Sequence, residues 1–490
     1  MRVVMLTSEA QPWAKTGGLA DVLGALPRAL ADGGVEVTVV LPGHREALER
    51  AGDGLEALGR VWAPVSSRTE PVDVLAVVEA AVPTVLLASP RYFDRPGLYG
   101  TRTGDYPDNA ERYVVFCRAA LEWLRVWPSP PHLLHAHDWQ GGLGPAFLRG
   151  SADLYPELRY VRTVHTIHNL AYQGRFWAAD WHLLNLDRRW FTSEWLEFWG
   201  DIGFLKAGLV FADAITTVSP RYAREIQTPE RGEGLDGVLS ARAARLHGIT
   251  NGIDVHAWNP AADPALPARY GPDRLEGKAR CKAALQADLG LRRSDATAVL
   301  AVITRLAAQK GIDLLLEVLP GVLEAEDAQL VVLGSGAAPL ERALDALASR
   351  FRGRVAIRLG FDEALAHRIH AGADCFLMPS RYEPCGLAQM YAMRYGTVPI
   401  VHATGGLDDT VVEWDARRGA GTGFKFEPDT PQALHAAIDR ALAARRDRAA
   451  WQRLQRNGMA VDFSWARSAR AYRALYASLL ATPLGAATAA

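Results

Sequence analysis

Residues 2 to 19 read Arg2-Val3-Val4-Met5-Leu6-Thr7-Ser8-Glu9-Ala10-Gln11-Pro12-Trp13-Ala14-Lys15-Thr16-Gly17-Gly18-Leu19. A short β-branched run gives way to a polar, glycine-bearing turn, and the pattern beyond it predicts a helix over 19–32. The same order returns in the second half of the chain. A strand predicted over 297–304 ends in Thr304-Arg305 and leads through Gln309-Lys310-Gly311 toward another helix. Strand, glycine-bearing turn and helix, repeated, is the unit of a parallel sheet with covering helices, so the fold class is α/β.

Working outward, strands are predicted near 2–7, 35–41, 132–136, 160–166 and 213–218, with helices near 19–32, 109–126 and 203–212. Val72 to Pro90, the most apolar region, is broken by Asp73, Glu79 and Pro83 and reads as two strands, since a membrane helix needs roughly 20 apolar residues. From Asp254 to Arg274 the rhythm stops. Pro260, Pro264, Pro267 and Pro272 among Asp, Ala and Gly suit a connector, and the domain boundary is placed there. The alternation restarts with strands near 297–304, 328–333, 355–360, 375–379 and 398–402, and helices near 338–350, 363–371 and 387–395. Helices over 430–445, 448–460 and 464–481 close the chain. The expected division is 1–253, 254–463, a terminal helix over 464–482 that crosses back to the first domain, and a frayed tail from Pro483 to Ala490. Two doubly wound domains predict a central cleft, with ligands at the carboxyl ends of the strands.

The chain has 490 residues, enough for two or three domains, and at 49% hydrophobic and 22% charged it carries no signature of disorder. With 54 basic against 55 acidic residues, no global field draws in nucleic acid or an anionic membrane, and neither is expected as a partner. Cys117, Cys281, Cys375 and Cys385 form no close pair, as in a reducing compartment. The first residues are already strand-like, without a cleavable leader, and a cytoplasmic location is expected.

Chemistry is therefore sought just after strands. The Lys15-Thr16-Gly17-Gly18 turn offers amides and a cation to a diphosphate; equally, it is a turn with a solvated lysine. Only six of the 54 basic residues are lysines, which gives weight to Lys15 and Lys310 in such turns. Arg305 and Lys310 would neutralise a leaving diphosphate, or are surface charge near a helix start. In Pro379-Ser-Arg-Tyr-Glu383-Pro-Cys385-Gly386-Leu387 a carboxylate can accept from sugar hydroxyls while the following amides reach a phosphate, or it serves only the helix dipole. Cys385 is given no catalytic role.

His135-Ala-His137-Asp138 and His165-Thr-Ile-His168-Asn169 raise the question of zinc, disfavoured because His135 and His137 share a strand face and further ligands are unplaced. The segment 177–199 holds five of the fourteen tryptophans, which suit sugar platforms or burial alike.

Several motifs stand in order: Lys15-Thr-Gly-Gly-Leu, Tyr106-Pro-Asp-Asn-Ala-Glu-Arg112, His135-Ala-His-Asp-Trp-Gln140, Thr166-Ile-His-Asn-Leu-Ala-Tyr-Gln-Gly174, Asn251-Gly-Ile-Asp254, Arg305 with Gln309-Lys310-Gly311, Glu383-Pro-Cys-Gly-Leu387, and Thr404-Gly-Gly-Leu407 with Asp409-Thr410. Together they resemble the bacterial glycogen synthases and plant starch synthases, retaining glycosyltransferases of the GT-B type, from the first strand to the last long helix. The resemblance implies transfer of glucose from ADP-glucose to the nonreducing end of glycogen or another α-1,4-glucan, with retained configuration and neither metal nor organic cofactor. By resemblance Arg305 and Lys310 stabilise the departing diphosphate, Glu383 binds the donor glucose, and His168 sits beside the oxocarbenium-like centre. The implied binding set adds Lys15, Gly18, Asp138, Asn251, Phe361, Cys385, Gly386, Leu387, Thr404, Gly405 and Gly406. Two departures inform the branch. Phe361 stands where the family usually has tyrosine, which bears on the nucleotide and leaves a UDP-glucose transferase as an alternative. Tyr391 stands where sucrose- and lipid-directed relatives often carry a second glutamate. A noncatalytic glucan-binding relative is the remaining alternative.

Overall fold

The computed structural model describes residues 1–101 and 103–482, so the expected tail over 483–490 lies outside the described residues. The chain divides into two compact units, Met1–Gly252 with the segment from Trp465 onward, and Ile253–Ser464.

Unit 1 carries β1 (Arg2–Leu6), β2 (Glu36–Pro42), β3 (Leu55–Val65), β4 (Arg68–Val77), β5 (Thr84–Ala88), the short β6 (Gly100–Thr101) and β7 (Gly104–Asp105), β8 (Leu133–His137), β9 (Arg162–Ile167), β10 (Arg175–Phe176), β11 (Glu197–Phe198), β12 (Asp201–Gly203), β13 (Ala214–Thr217) and β14 (Leu246–Gly248). Nine of them form one sheet in the order β14-β13-β9-β8-β1-β2-β5-β4-β3. It is parallel from β14 to β5 and ends in an antiparallel β5-β4-β3 edge. The chain winds outward from β1 through β2 to β5, then returns to β8 on the other side of β1, so β1 and β8 flank the switch point where such sheets bind ligands.

The reason β1 is central is legible in its side chains. Val4 and Leu6 face one core and Val3 and Met5 the other, so both faces bury apolar surface. The terminal helix, Trp465–Ala481, packs Trp465, Ala469, Tyr472 and Tyr476 into the second of these cores, beneath helix Gly18–Asp32.

Unit 2 carries β15 (Ala298–Ile303), β16 (Ala328–Leu333), β17 (Val355–Arg358), β18 (Cys375–Met378), β19 (Val398–His402) and β20 (Phe424–Phe426), all parallel, in the order β17-β16-β15-β18-β19-β20. Its switch point lies between β15 and β18. Leu300 and Val302 of β15 face one core, Val299 and Ala301 the other.

The differences from expectation have physical causes. The β3 strand escapes a hydrophobic reading because most of its residues are exposed at the sheet edge and Gly59 and Pro64 interrupt it. Helix Glu276–Asp288 escapes because its inward face mixes Lys278, Lys282 and Gln286 with the apolar Cys281 and Leu285. Lys278 Nζ donates to the Ala371 carbonyl and Thr397 Oγ1, and Lys282 Nζ lies 2.8 Å from Asp374. Helix Ile312–Ala325 contains Pro320, which ordinarily argues against a helix interior. The proline-rich stretch after Asp254 carries no regular element but is a packed part of unit 2. Trp258 is sandwiched between His367 and Tyr391, with ring centroids 3.9 and 3.8 Å away. Tyr391, at the position of a second glutamate in other branches, thus faces a structural indole.

Candidate active site

In unit 1 the loop after β1 is organised by a residue that carried no role in the sequence reading. Glu9, 4% exposed, accepts hydrogen bonds from the backbone N–H of Thr16 (2.6 Å) and Gly17 (3.1 Å), from Thr16 Oγ1 and from the Tyr99 hydroxyl. Two of the amides expected to face an anion are therefore turned inward. The glycines still have a purpose: a Cβ on Gly17 or Gly18 would meet nothing within 4 Å. Their smallness leaves room beside the backbone rather than relieving an internal clash. Lys15 Nζ lies 2.6 Å from Asp21 Oδ1, about one-third exposed.

Across the switch point, β8 and β9 end in a histidine cluster. His135 Nε2 meets Thr166 Oγ1 at 2.6 Å and its Nδ1 meets the Tyr476 hydroxyl of the terminal helix at 2.7 Å. The rings of His135 and His137 lie 4.1 Å apart, and His137 Nδ1 meets His168 Nε2 at 3.0 Å. Burial pushes His165 and His168 down to about 3 and His135 and His137 well below the ordinary range, so the imidazoles are neutral at pH 7. Among the described residues no group of three or more His, Cys, Asp or Glu is placed to hold a metal ion. Asp138 follows β8 with φ +49°, an uncommon backbone state for a residue with a Cβ. Its carboxylate accepts the His168 N–H at 2.7 Å, and burial raises it to about 7 in spite of that bond. Asn251 is 8% exposed, and its side-chain oxygen has no partner.

In unit 2 the strand-end loops are stitched together in strand order. Gly360 N–H donates to the Gly334 carbonyl, Leu306 N–H to Ser335, Arg381 N–H to Gln309 and Gly406 N–H to Glu383. Lys310 and Glu383 approach from loops on opposite sides of the β15/β18 switch point, with Nζ and Oε2 2.5 Å apart and side chains 15% and 9% exposed. Ser380 Oγ donates to the same carboxylate oxygen at 3.0 Å, and His402 Nδ1 meets the Ser380 carbonyl at 2.8 Å. Arg305 is exposed on the β15 loop. Here the glycines are internal: a Cβ on Gly405 would lie 2.0 Å from the Glu383 carbonyl oxygen, and one on Gly406 2.1 Å from that of Cys385. Cys385 is buried, and the Cys385 and Gly386 carbonyls accept from Gln389 Nε2. Leu387 opens helix Ala388–Arg394, and buried Thr404 precedes helix Gly405–Thr410. Phe361, 85% exposed after β17, borders a cavity of about 530 Å³ lined by Leu333, Arg358 and Gly360.

Within unit 1 the structure thus brings together Asp138, His168 and His137, which the sequence raised only as a metal ligand, while Glu9 holds the loop of Lys15 and Gly18. Within unit 2 it brings together Lys310, Glu383 and the unexpected Ser380, with Arg305, Phe361 and Thr404–Gly406 on adjoining loops. A glutamate before an anion-binding turn argues by residue type against its own involvement, which is why Glu9 gave no signal. Ser380 lay inside a quoted motif without a distinguishing feature, and the histidine spacing raised only zinc for His137.

Residues 2–241 match the family model described as starch synthase catalytic domain, and residues 290–457 that of glycosyl transferases group 1. The chain is similar to a glycogen synthase of Anaeromyxobacter dehalogenans strain 2CP-C, 53% identical over 480 residues, covering 98% of this chain and 100% of that one. It is similar to another from Anaeromyxobacter sp. strain Fw109-5, 51% identical over 482 residues with 98% and 100% covered. Among solved structures, the catalytic domain of starch synthase IV from Arabidopsis thaliana, bound to ADP and acarbose, matches with a TM-score of 0.87 and 33% identity over 98% of this chain and 99% of that one.

Proposed function

The chain belongs to the glycogen synthase family of two-domain α/β glycosyltransferases, and from that premise we propose that it transfers glucose from ADP-glucose to the nonreducing end of an α-1,4-glucan with retention of configuration. The observation that carries the reading is the Lys310–Glu383 pair at the β15/β18 switch point, midway along a row of loops stitched in strand order. Base, diphosphate and sugar follow one another along the donor. Phe361 after β17, Arg305 and Lys310 after β15, Glu383 after β18 and Thr404–Gly406 after β19 follow one another along the sheet edge, with strands spaced roughly 4.8 Å and β16 lying between the first two.

In the proposed step the bond between the glucose anomeric carbon and the β-phosphate oxygen breaks, and its electron pair leaves with the diphosphate. Arg305 and Lys310 supply fixed positive charge where that negative charge develops. The acceptor hydroxyl attacks from the side of the departing phosphate and gives up its proton to a phosphate oxygen. Glu383, held by Lys310 and Ser380, hydrogen-bonds the donor glucose rather than attacking it. His168 acts as a neutral imidazole, and a neutral ring adds no repulsion to an oxocarbenium-like centre. One oxygen of Asp138 holds the His168 loop, and the other is assigned to glucose hydroxyls. Lys15, Gly18 and Asn251 are assigned to the donor from unit 1. Cys385, Gly386 and Leu387 are assigned to the donor by their amides. Arg305 and Lys310 supply the charge without recourse to a metal.

The test is glucose incorporation into glycogen from ADP-glucose and from UDP-glucose in parallel, without added metal. Preference for ADP-glucose is the expected result. Preference for UDP-glucose moves the protein to another branch and assigns the change to Phe361, and no turnover with either favours a glucan-binding relative.

A further inference from the structure

The tryptophan-rich segment after Gly174 is not used by the reaction, and the structure sorts its residues into two kinds. Trp181 is buried, and Trp190 and Trp195 pack against the unit 1 core, with centroids 4.6 Å apart. Trp177 and Trp199 are 71% and 72% exposed. The register of the small β10-β12-β11 sheet brings these two to the same end. Phe176 pairs with Ile202, and Trp177 is the next residue out; Phe198 pairs with Asp201, and Trp199 with Gly200 closes the two-residue turn between them. Two strand spacings, roughly 10 Å, separate the outer strands that carry the indoles.

The backbone at Trp199 has φ +53° and Gly200 φ +82°, the left-handed pair of a tight hairpin turn, where glycine or asparagine is the ordinary first residue. A tryptophan there is an outlier with no core to fill. Its position is nonetheless fixed. The Gly200 N–H donates to Glu197 Oε1 at 2.6 Å, and a Cβ on Gly234 would lie 3.1 Å from the indole nitrogen, so one edge is seated on that backbone and the rest is open. Arg175 pairs with Asp201 at 2.8 Å and braces β10 to β12.

The platform is also tied to the reaction site. Phe204 N–H donates to the Gly174 carbonyl and Leu205 N–H to that of Gln173, while Gln173 Nε2 donates to the Glu233 carbonyl beside Trp199. Tyr172, 55% exposed, lies four residues from His168 on the same loop, so exposed aromatics continue outward from the proposed reacting end.

We propose that Trp177 and Trp199 form a stacking platform for an outer stretch of the α-1,4-glucan acceptor, several sugars from the end that receives glucose. This rests on the transferase reading above. Flat, preset indoles stack on pyranose rings at low entropic cost, and Glu197 and Glu233 beside them accept from sugar hydroxyls.

The experiment compares wild type with Trp177→Ala, Trp199→Gly and the double variant, using glycogen and maltotriose as acceptors. The expected result is a KM for glycogen raised about fivefold or more in each single variant, with kcat, the KM for ADP-glucose and the KM for maltotriose unchanged. Trp199→Gly, which suits the turn, is expected to melt no lower than wild type. A glycogen KM within twofold of wild type in the double variant overturns the proposal, as does an equal loss with maltotriose, which marks damage at the reacting end. Retardation in glycogen-containing native gels is read in parallel. Should wild type transfer no glucose, the function reading fails, and this inference then stands if retardation is lost in the double variant and falls if it is not. Unchanged retardation with lost self-association assigns the patch to a second copy and overturns it.

Discussion

The two switch points of this protein are built on the same sheet logic and opposite electrostatics. In unit 1 the strand ends converge on uncharged imidazoles, buried and bonded to one another and to hydroxyls, with a strained Asp138 holding the His168 loop. In unit 2 they converge on an ion pair, Lys310 with Glu383, flanked by exposed Arg305. Even the glycines differ. Gly17 and Gly18 leave open space, whereas Gly405 and Gly406 let one loop touch another. On the proposed reading this is a division of labour: the loops of unit 2 supply most of the charge that a leaving diphosphate requires, and the histidine side of unit 1 supplies shape and hydrogen bonds.

Breaking the charged side is expected to have the largest effect. Lys310→Ala and Glu383→Ala each lower kcat about a thousandfold or more, while retardation in glycogen gels stays as in wild type. Lys310→Ala also leaves the largely buried Glu383 without its cationic partner, and urea denaturation is expected to show a loss of about 3 kcal/mol. Equal losses of turnover and glucan affinity would remove the two residues from the transfer step.

The neutral side is expected to respond less, and through geometry. His137→Ala removes the partner of His168 Nε2, and kcat falls about 10- to 100-fold with little change in the KM for glycogen. His137→Gln, whose amide can restore the bond, recovers most of it. No recovery in the glutamine variant would mean that the ring acts by packing alone.

The pH dependence of stability separates the two kinds of buried group within unit 1. Asp138 titrates near 7 in the folded protein against 3.8 ordinarily, so between those values the folded state keeps a proton that the unfolded chain has lost. Its contribution to stability therefore declines as pH rises from about 4 to 7, and the cost is complete above 7. His165 and His168, at about 3 against 6.5, act in the opposite sense, and stability falls as pH drops below 6.5. Asp138→Asn keeps an oxygen for the His168 amide and removes only the first effect. Its melting temperature relative to wild type is expected to be higher at pH 8 than at pH 5, and the reverse order would contradict the burial argument.

The smallest effect is expected at the rim of unit 2. Phe361→Tyr adds one hydroxyl to an exposed ring, worth about 1 kcal/mol if it finds a partner, and should lower the KM for ADP-glucose less than tenfold without moving kcat.

What the sequence made legible follows the same division. The buried strands β1 and β15, apolar on both faces, and the residues immediately after them were readable because strand ends are where α/β sheets hold ligands. Lys310 and Glu383 were each singled out this way, but their pairing was not, since 73 residues separate them and only the strand order makes β15 and β18 neighbours. The rarity of lysine was an imperfect guide: Lys206, Lys278 and Lys282 are buried donors to carbonyls and a carboxylate that hold the fold. The β3 edge and helix Glu276–Asp288 stayed hidden because exposure and buried polar side chains erase the hydrophobic period. Glu9 stayed hidden because two of its partners are backbone N–H groups, which no residue pattern records, and Tyr99 lies 90 residues away in the chain.

On the proposed reading, the ordered loops of unit 2 hold the donor with its diphosphate at Arg305 and Lys310. A crystal structure with ADP-glucose bound tests it most directly. The expected result is the base against Phe361, both phosphates within reach of Arg305 and Lys310, and the glucose against Glu383 and the Gly405–Gly406 turn. Phosphates remote from Lys310, or a base on the β19 side of the sheet, would contradict it.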